Sequence, residues 1–394
     1  MAVTGPAGGE ASRRRVLMWG AALAAAPAVA GCGSPDGAPG PVARNRVRTY
    51  YIAADTVTWN YVPQGRNLIS GAAFTSKEHR WTVAGPGRLG PRYEKAQYRQ
   101  YTDGSFTTLV KRPVREAHLG ILGPVIRAEV GDTIRVVFRN NAIFPVSVHP
   151  HGVFYTKANE GTPGDDGTSG ADKADDAIAP GKTYTYTWQV PERSGPGPDD
   201  PSSLVWLYHD HAVDMGVPGT QAGLVGPLVI TRRGAARADG GPADVDHEFF
   251  TFFTLFNEND SPYFRRNVAR FAPGQHPDPN DAVFQDSNVK SSVNGFLWGN
   301  GPAGTDNTHT AMTMAKGDRV RWYAFAMGSE QDQHTPHWHG NTVQVAKQRT
   351  DVINLLPATM VTADMRPDNR GIWLYHCHVD DHMDEGMITR YQVR

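Results

Sequence analysis

Near the C-terminus runs Trp373-Leu374-Tyr375-His376-Cys377-His378, and the first half holds its counterpart, Trp206-Leu207-Tyr208-His209-Asp210-His211. Working outward, further phrases recur in the same order. His337-Trp338-His339-Gly340 answers His149-Pro150-His151-Gly152, and Ala315-Lys316-Gly317-Asp318-Arg319-Val320-Arg321-Trp322 answers Glu129-Val130-Gly131-Asp132-Thr133-Ile134-Arg135-Val136. Tyr50-Tyr51-Ile52-Ala53-Ala54 opens one copy and Phe249-Phe250-Thr251-Phe252-Phe253 the other. His149 and His209 lie 60 positions apart, His337 and His376 only 39, and the excess of 21 falls in the Gly/Asp-rich stretch 157–176. The body therefore reads as one domain written twice, over 46–234 and 245–394. Each copy is built from short runs of alternating apolar and polar residues, such as Thr133–Phe138 and Thr183–Trp188, with turn signals between them. That pattern predicts an all-β chain of two sandwiches or barrels, with helix scarce and short.

Composition narrows the function. Thirty-nine Lys+Arg stand against 40 Asp+Glu, a net charge of -1, so no basic field points to a nucleic-acid partner. Two cysteines cannot make a disulfide framework. Residues 1–31 read as an address. Ser12-Arg13-Arg14-Arg15-Val16-Leu17 is a twin-arginine export motif, followed by an Ala-rich apolar run too short to span a membrane. The run ends in Val29-Ala30-Gly31-Cys32, which resembles a bacterial lipobox, with Cys32 as the lipid-bearing residue. Cleavage after Ala30 with release is the alternative. Residues 32–45 form a Gly/Pro linker. The expected location is extracytoplasmic, anchored to the outer face of the cell membrane.

The histidines carry the chemistry. On a strand, residues i and i+2 share a face, so each His-X-His aims two imidazoles at one place. His149, His151, His209, His211, His337, His339, His376 and His378 make eight, more than one ion takes and suited to a polynuclear site. Cys377 lies between His376 and His378, so its sulfur leaves the opposite face. With His334, His382 and Met387 it supplies two imidazoles, a thiolate and a weak axial thioether, the donor set of a blue copper site. Met383, next to His382, is the poorer axial candidate. An electron taken at Cys377 has only one residue to travel to reach the histidines on either side.

His334-X-X-His337-X-His339 and His376-Cys377-His378-X-X-X-His382-X-X-X-X-Met387 resemble the signatures of multicopper oxidases, specifically bacterial two-domain laccases. The surrounding wording, as in Gly123–Asn140 and Val352–Thr359, is similar to ceruloplasmin-type domains. The resemblance implies two Greek-key cupredoxin domains in tandem. It implies four coppers per chain, with His149 and His337 on the type 2 copper. It places His151, His209 and His378 on one type 3 copper, and His211, His339 and His376 on the other. His334, Cys377, His382 and axial Met387 fall on type 1, in the second domain alone, since Asp210 stands where Cys377 would be. Glu160 and Tyr155 match residues beside the cluster, as proton donor and neighbouring tyrosine. The implied reaction takes single electrons from a small reductant and reduces O2 to water. Phenols or aromatic amines come first as substrate. Fe(II) or Cu(I), drawn to Asp380, Asp381, Asp384 and Glu385, are the alternative, and a copper nitrite reductase is a more distant one. The resemblance also implies a homotrimer with its clusters between subunits.

Overall fold

The computed structural model describes residues 45–212, 218–274, 277–303, 310–329 and 331–394. The export signal, Cys32 and the linker up to residue 44 lie outside them. The first copy contributes β1 (Val47–Asn60), β2 (Arg92–Tyr101), β3 (Ile126–Glu129), β4 (Thr133–Asn141), β5 (His149–Pro150), β6 (Thr183–Gln189), β7 (Ser203–His209) and β8 (Val225–Thr231). The second contributes β9 (His247–Asn257), β10 (Val289–Val293), β11 (Thr313–Met314), β12 (Val320–Ala326), β13 (Pro336–Trp338), β14 (Val343–Val345), β15 (Gln348–Thr350), β16 (Met360–Met365), β17 (Gly371–Cys377) and β18 (Ile388–Val393).

The repeat in the sequence is a repeat in topology. Sheet order β2-β1-β4-β6 in the first copy becomes β10-β9-β12-β16 in the second, extended by β14 and β15, and β3-β8-β7-β5 becomes β11-β18-β17-β13. The parallel pairing of β1 with β4 recurs as β9 with β12. Each copy is thus a two-sheet cupredoxin-like sandwich, and no named strand crosses from one copy's sheets to the other's. Helices are short, the longest among the described residues being Phe264–Phe271. None there is long and apolar enough to cross a membrane.

Alternation places the cores. On β4, Ile134, Val136 and Phe138 point inward against Tyr186, Trp188, Leu228 and Ile230, while Arg135 is exposed. The second copy's core gathers Trp322, Trp338, Tyr375, Tyr391, Cys377 and Met387. A third core belongs to both copies. Val205, Leu207, Val225 and Val229, on the outer face of β7 and β8, pack with Phe250, Phe252, Tyr323 and Phe325 of β9 and β12. For that reason β12 is buried along its whole length, on both faces.

A buried ion pair pins this junction. Lys95 Nζ lies 2.5 Å from Glu258 Oε1, which also accepts from Tyr61 Oη, and neither charged side chain is solvent-exposed. Removing one partner would strand a buried charge, at a cost of about 3–5 kcal/mol.

Candidate metal centre

The repeated His-X-His-Gly has a steric reason for its glycine. Gly152 and Gly340 adopt φ of +77° and +71°, and a Cβ there would meet the Trp206 ring at 2.2 Å and the Trp373 ring at 2.5 Å. Each tryptophan lies on the strand that leads into the second histidine pair, Trp206 on β7 and Trp373 on β17. The close Trp–Gly approach therefore sets β5 beside β7 and β13 beside β17. His149 pairs with His209, and His337 with His376.

Within each copy, main-chain carbonyls fix the rings. His149 Nδ1 donates to Glu160 O at 2.6 Å, His209 Nδ1 to Asp210 O at 2.9 Å and His376 Nδ1 to Cys377 O at 2.7 Å. Thr162 Oγ1 lies 2.9 Å from His211 Nδ1. Anchoring Nδ1 turns Nε2 inward, as a metal-ligating histidine requires. His151 Nε2 and His209 Nε2 lie 3.0 Å apart, and His339 Nε2 and His376 Nε2 2.9 Å. His337 Nδ1 is buried with no hydrogen-bond partner among the described residues. Burial lowers the pKa of His151 to about 4 and that of His209 to about 3, and it lowers His149, His337, His339 and His376 in the same direction. The rings stay neutral at pH 7, the form that binds metal.

The two sets of four stand apart. His149, His151, His209 and His211 touch one another, and so do His337, His339, His376 and His378. Among the described residues no hydrogen bond or ring contact joins one set to the other. Tyr155 packs edge-on against His149 at 5.8 Å. Glu160 reaches His149 through its carbonyl, while its carboxylate pairs with Lys157 at 2.6 Å. Spacing along a chain does not distinguish those two roles.

On the far side of β17, His334 Nδ1, His382 Nδ1 and Cys377 Sγ converge. The nitrogens are 3.2 Å apart and lie 3.9 and 3.7 Å from the sulfur. Burial alone would raise the thiol. The His334 and His382 contacts and the N–H groups of Thr335 and Val379, each 3.4 Å from Sγ, outweigh it and bring Cys377 down to about 6. The sulfur is thus a thiolate at neutral pH, fit to bind a soft metal. Met387 is fully buried in the same core as Cys377, and the Cys377 N–H donates to its carbonyl at 3.1 Å. Met383 packs instead into the core shared by the copies. In the first copy, Asp210 is buried and accepts from the Ser147 N–H at 2.8 Å, and burial raises its carboxyl to about 7.

Two family models described as multicopper oxidase match residues 100–235 and 274–394, one on each copy. The chain belongs to the multicopper oxidase family. It is 44% identical over 350 residues to human Ferroxidase HEPHL1, 41% over 353 to human Hephaestin and 42% over 356 to human Ceruloplasmin. Each match covers 88% of this chain but 29%, 29% and 32% of the relative, so the chain spans about a third of those proteins. Among solved structures, "Crystal structure of multicopper oxidase" aligns over 89% of this chain and 90% of that one, with TM-score 0.54 and 18% identity. A blue copper oxidase from Nitrosomonas europaea aligns over 89% and 86%, with TM-score 0.53 and 17% identity. These two share the fold.

Copper is the cofactor that membership in the multicopper oxidases implies, and the donors fit it: convergent imidazoles, a low-pKa thiolate and a buried thioether. Replacing Met387 by leucine, a swap of similar volume, is expected to leave the fold intact and raise the potential of copper held at Cys377. The shift should be on the order of tenfold in the Cu(I)/Cu(II) ratio, ~59 mV. Spectroelectrochemical titration reads it. An unchanged potential, with Met383→Leu shifting it instead, would assign the axial role to Met383.

Proposed function

We propose that this multicopper oxidase oxidises a low-valent metal cation of the Fe(II) class and passes the electrons to O2, which leaves as water. Four substrate electrons and four protons convert each O2 to two waters. The observation that carries the substrate is the acidic surround of His382. This histidine, 8% exposed against 1% for His334, is the more open imidazole beside Cys377. It sits on the short helix Asp380–Asp384, and Asp380, Asp381 and Asp384 of that helix are exposed. Glu385 follows, its carboxylate accepting from Ser291 Oγ at 2.6 Å. Burial first, then the charges of Asp286 and Asp381, push the Glu385 carboxyl up, and a docked cation would relieve that repulsion. Similarity to human Ferroxidase HEPHL1 supports the same reading. Phenols and aromatic amines are the second reading.

His334, His382 and Cys377 would hold a copper that supplies one-electron acceptance, and the eight imidazoles would hold copper that supplies the reduction of O2. The chain's part is to hold the cation against His382 and to carry the electron from Cys377 to His376 and His378. Tyr155 and Glu160 line the His149 side as candidates for proton supply. Four coppers per chain are proposed.

Oxygen uptake by copper-loaded protein, compared for Fe(II), Cu(I) and a neutral phenol, tests the substrate class. Fe(II) should give the highest kcat/KM. Asp381→Asn with Glu385→Gln should raise KM for Fe(II) about tenfold, with a smaller change for the phenol. Faster phenol turnover, indifferent to both substitutions, would overturn the proposal.

The oligomer proposed is a homotrimer. In the proposed ligand set each close Nε2 pair, His151/His209 and His339/His376, takes its third imidazole from the other copy, and among the described residues of one chain no hydrogen bond or ring contact joins the two sets. Apolar side chains stand exposed beside both sets, Phe154 next to Tyr155 and Val352 bridged to His337. A head-to-tail ring of three chains would join each first copy to a neighbour's second copy. Export by the twin-arginine route and a lipid anchor at Cys32 belong to the same proposal.

A further inference from the structure

We propose that Asp332 is a positioning residue for His334, and that its buried charge holds down the reduction potential of a metal bound at Cys377. The inference rests on the reading of that site as a blue copper site.

Asp332 is 1% exposed. Its Oδ1 lies 3.2 Å from His334 Nε2, accepts from the Leu255 N–H at 2.8 Å and is 3.1 Å from Thr254 Oγ1. Its Oδ2 accepts from the Ser329 N–H at 3.0 Å. A Cβ on Gly328 would come within 2.0 Å of Oδ2, so the loop leaving β12 is shaped around this carboxylate. β9 and that loop thus grip the group from two sides. With Nε2 donating to Asp332, His334 presents its Nδ1 lone pair toward Cys377 Sγ and His382 Nδ1.

The charge itself needs a reason. Among the described residues the ion partner of Asp332 is His334, with no Lys or Arg within salt-bridge distance. A carboxylate in so dry a place is costly without a cation, and an asparagine could accept most of the same bonds. A metal cation held by His334 would supply the compensation. The internal repeat makes the comparison. By the offset of His149 to His337, His334 corresponds to Val146 and Asp332 to Phe144. His334 bridges to Leu355 just as Val146 bridges to Ile178, so the two positions are structurally equivalent. The copy without the cysteine and histidine also lacks the carboxylate.

A nearby negative charge favours the higher oxidation state. Asp332→Asn should therefore keep the blue absorption, because the copper ligands remain, and raise the Cu(I)/Cu(II) ratio at fixed potential about tenfold, or ~59 mV. A second measurement needs neither copper nor the variant. In copper-free full-length wild-type protein labelled with 15N-histidine, at a pH high enough to leave the imidazole neutral, the His334 resonances should show the proton on Nε2 and a bare Nδ1. A proton on Nδ1 would overturn the positioning role. A folded, blue Asp332→Asn protein at the wild-type potential would overturn the electrostatic one. If Asp332→Asn does not fold, the wild-type tautomer decides. Wild-type protein that loads copper without turning blue would instead refute the reading of the site.

Discussion

Cys377→Ser is expected to abolish the intense blue absorption and bring oxygen consumption to background, while the protein stays folded and the histidine sites keep their copper. The serine oxygen is a poor ligand for a soft metal, and it lacks the thiolate character that His334, His382 and two N–H groups confer on Cys377. The stability loss should be modest, about 1–3 kcal/mol for a hydroxyl in a site built for sulfur. Absorption spectra, copper content and oxygen uptake on the same preparation decide it. A variant that stays blue would show that another residue supplies the sulfur, and one that keeps oxidising substrate would show that electrons enter elsewhere.

The second large effect is a gain. His149→Ala/His151→Ala and His337→Ala/His339→Ala chains should each be inactive. Co-assembled in equal amounts, they should recover about one quarter of the wild-type rate. Half the chains bring an intact first copy and half an intact second copy, so one junction in four joins both. Clusters closed within one chain would give no recovery at any ratio. A fully active monomer at low concentration would also end the shared-site proposal. Copper removal should loosen the assembly, because metals that bridge chains add their binding energy to the interface.

Much of the architecture was legible in the sequence because the repeat is written in residues that the fold cannot exchange freely. The Trp…His-X-His and His-X-His-Gly phrases reflect the Trp206–Gly152 and Trp373–Gly340 contacts, and the alternation on β4 reflects one dry face. β12 was less legible. Val320-Arg321-Trp322-Tyr323 looks half-exposed, yet Arg321 is buried on Asp364, Ser202 and Ser203 because the other copy covers it. The site divides in the same way. Histidine spacing picked out the four imidazoles that gather in each copy and the Cys377 group, since strand periodicity is local. The grouping of Asp286 and Ser291 with Glu385 depends on contacts some 94 residues apart in the chain, with no local signature. Asp332 stood two positions before His334 as a visible Asp-X-His, and only the fold shows which nitrogen it meets.

The core shared by the copies has a consequence for how the protein is made. Val205, Leu207, Val225 and Val229 are finished on the ribosome well before the β9 and β12 side chains that cover them. Between the end of β8 and the end of β12 the ribosome adds roughly 95 residues, or roughly 5–20 s of synthesis at about 5–20 residues per second. During that interval the nascent first copy presents an uncovered apolar sheet face. A stalled or truncated chain would keep it. Such fragments should be the preferred clients of holding chaperones and the first species to aggregate, whatever the stability of the finished protein.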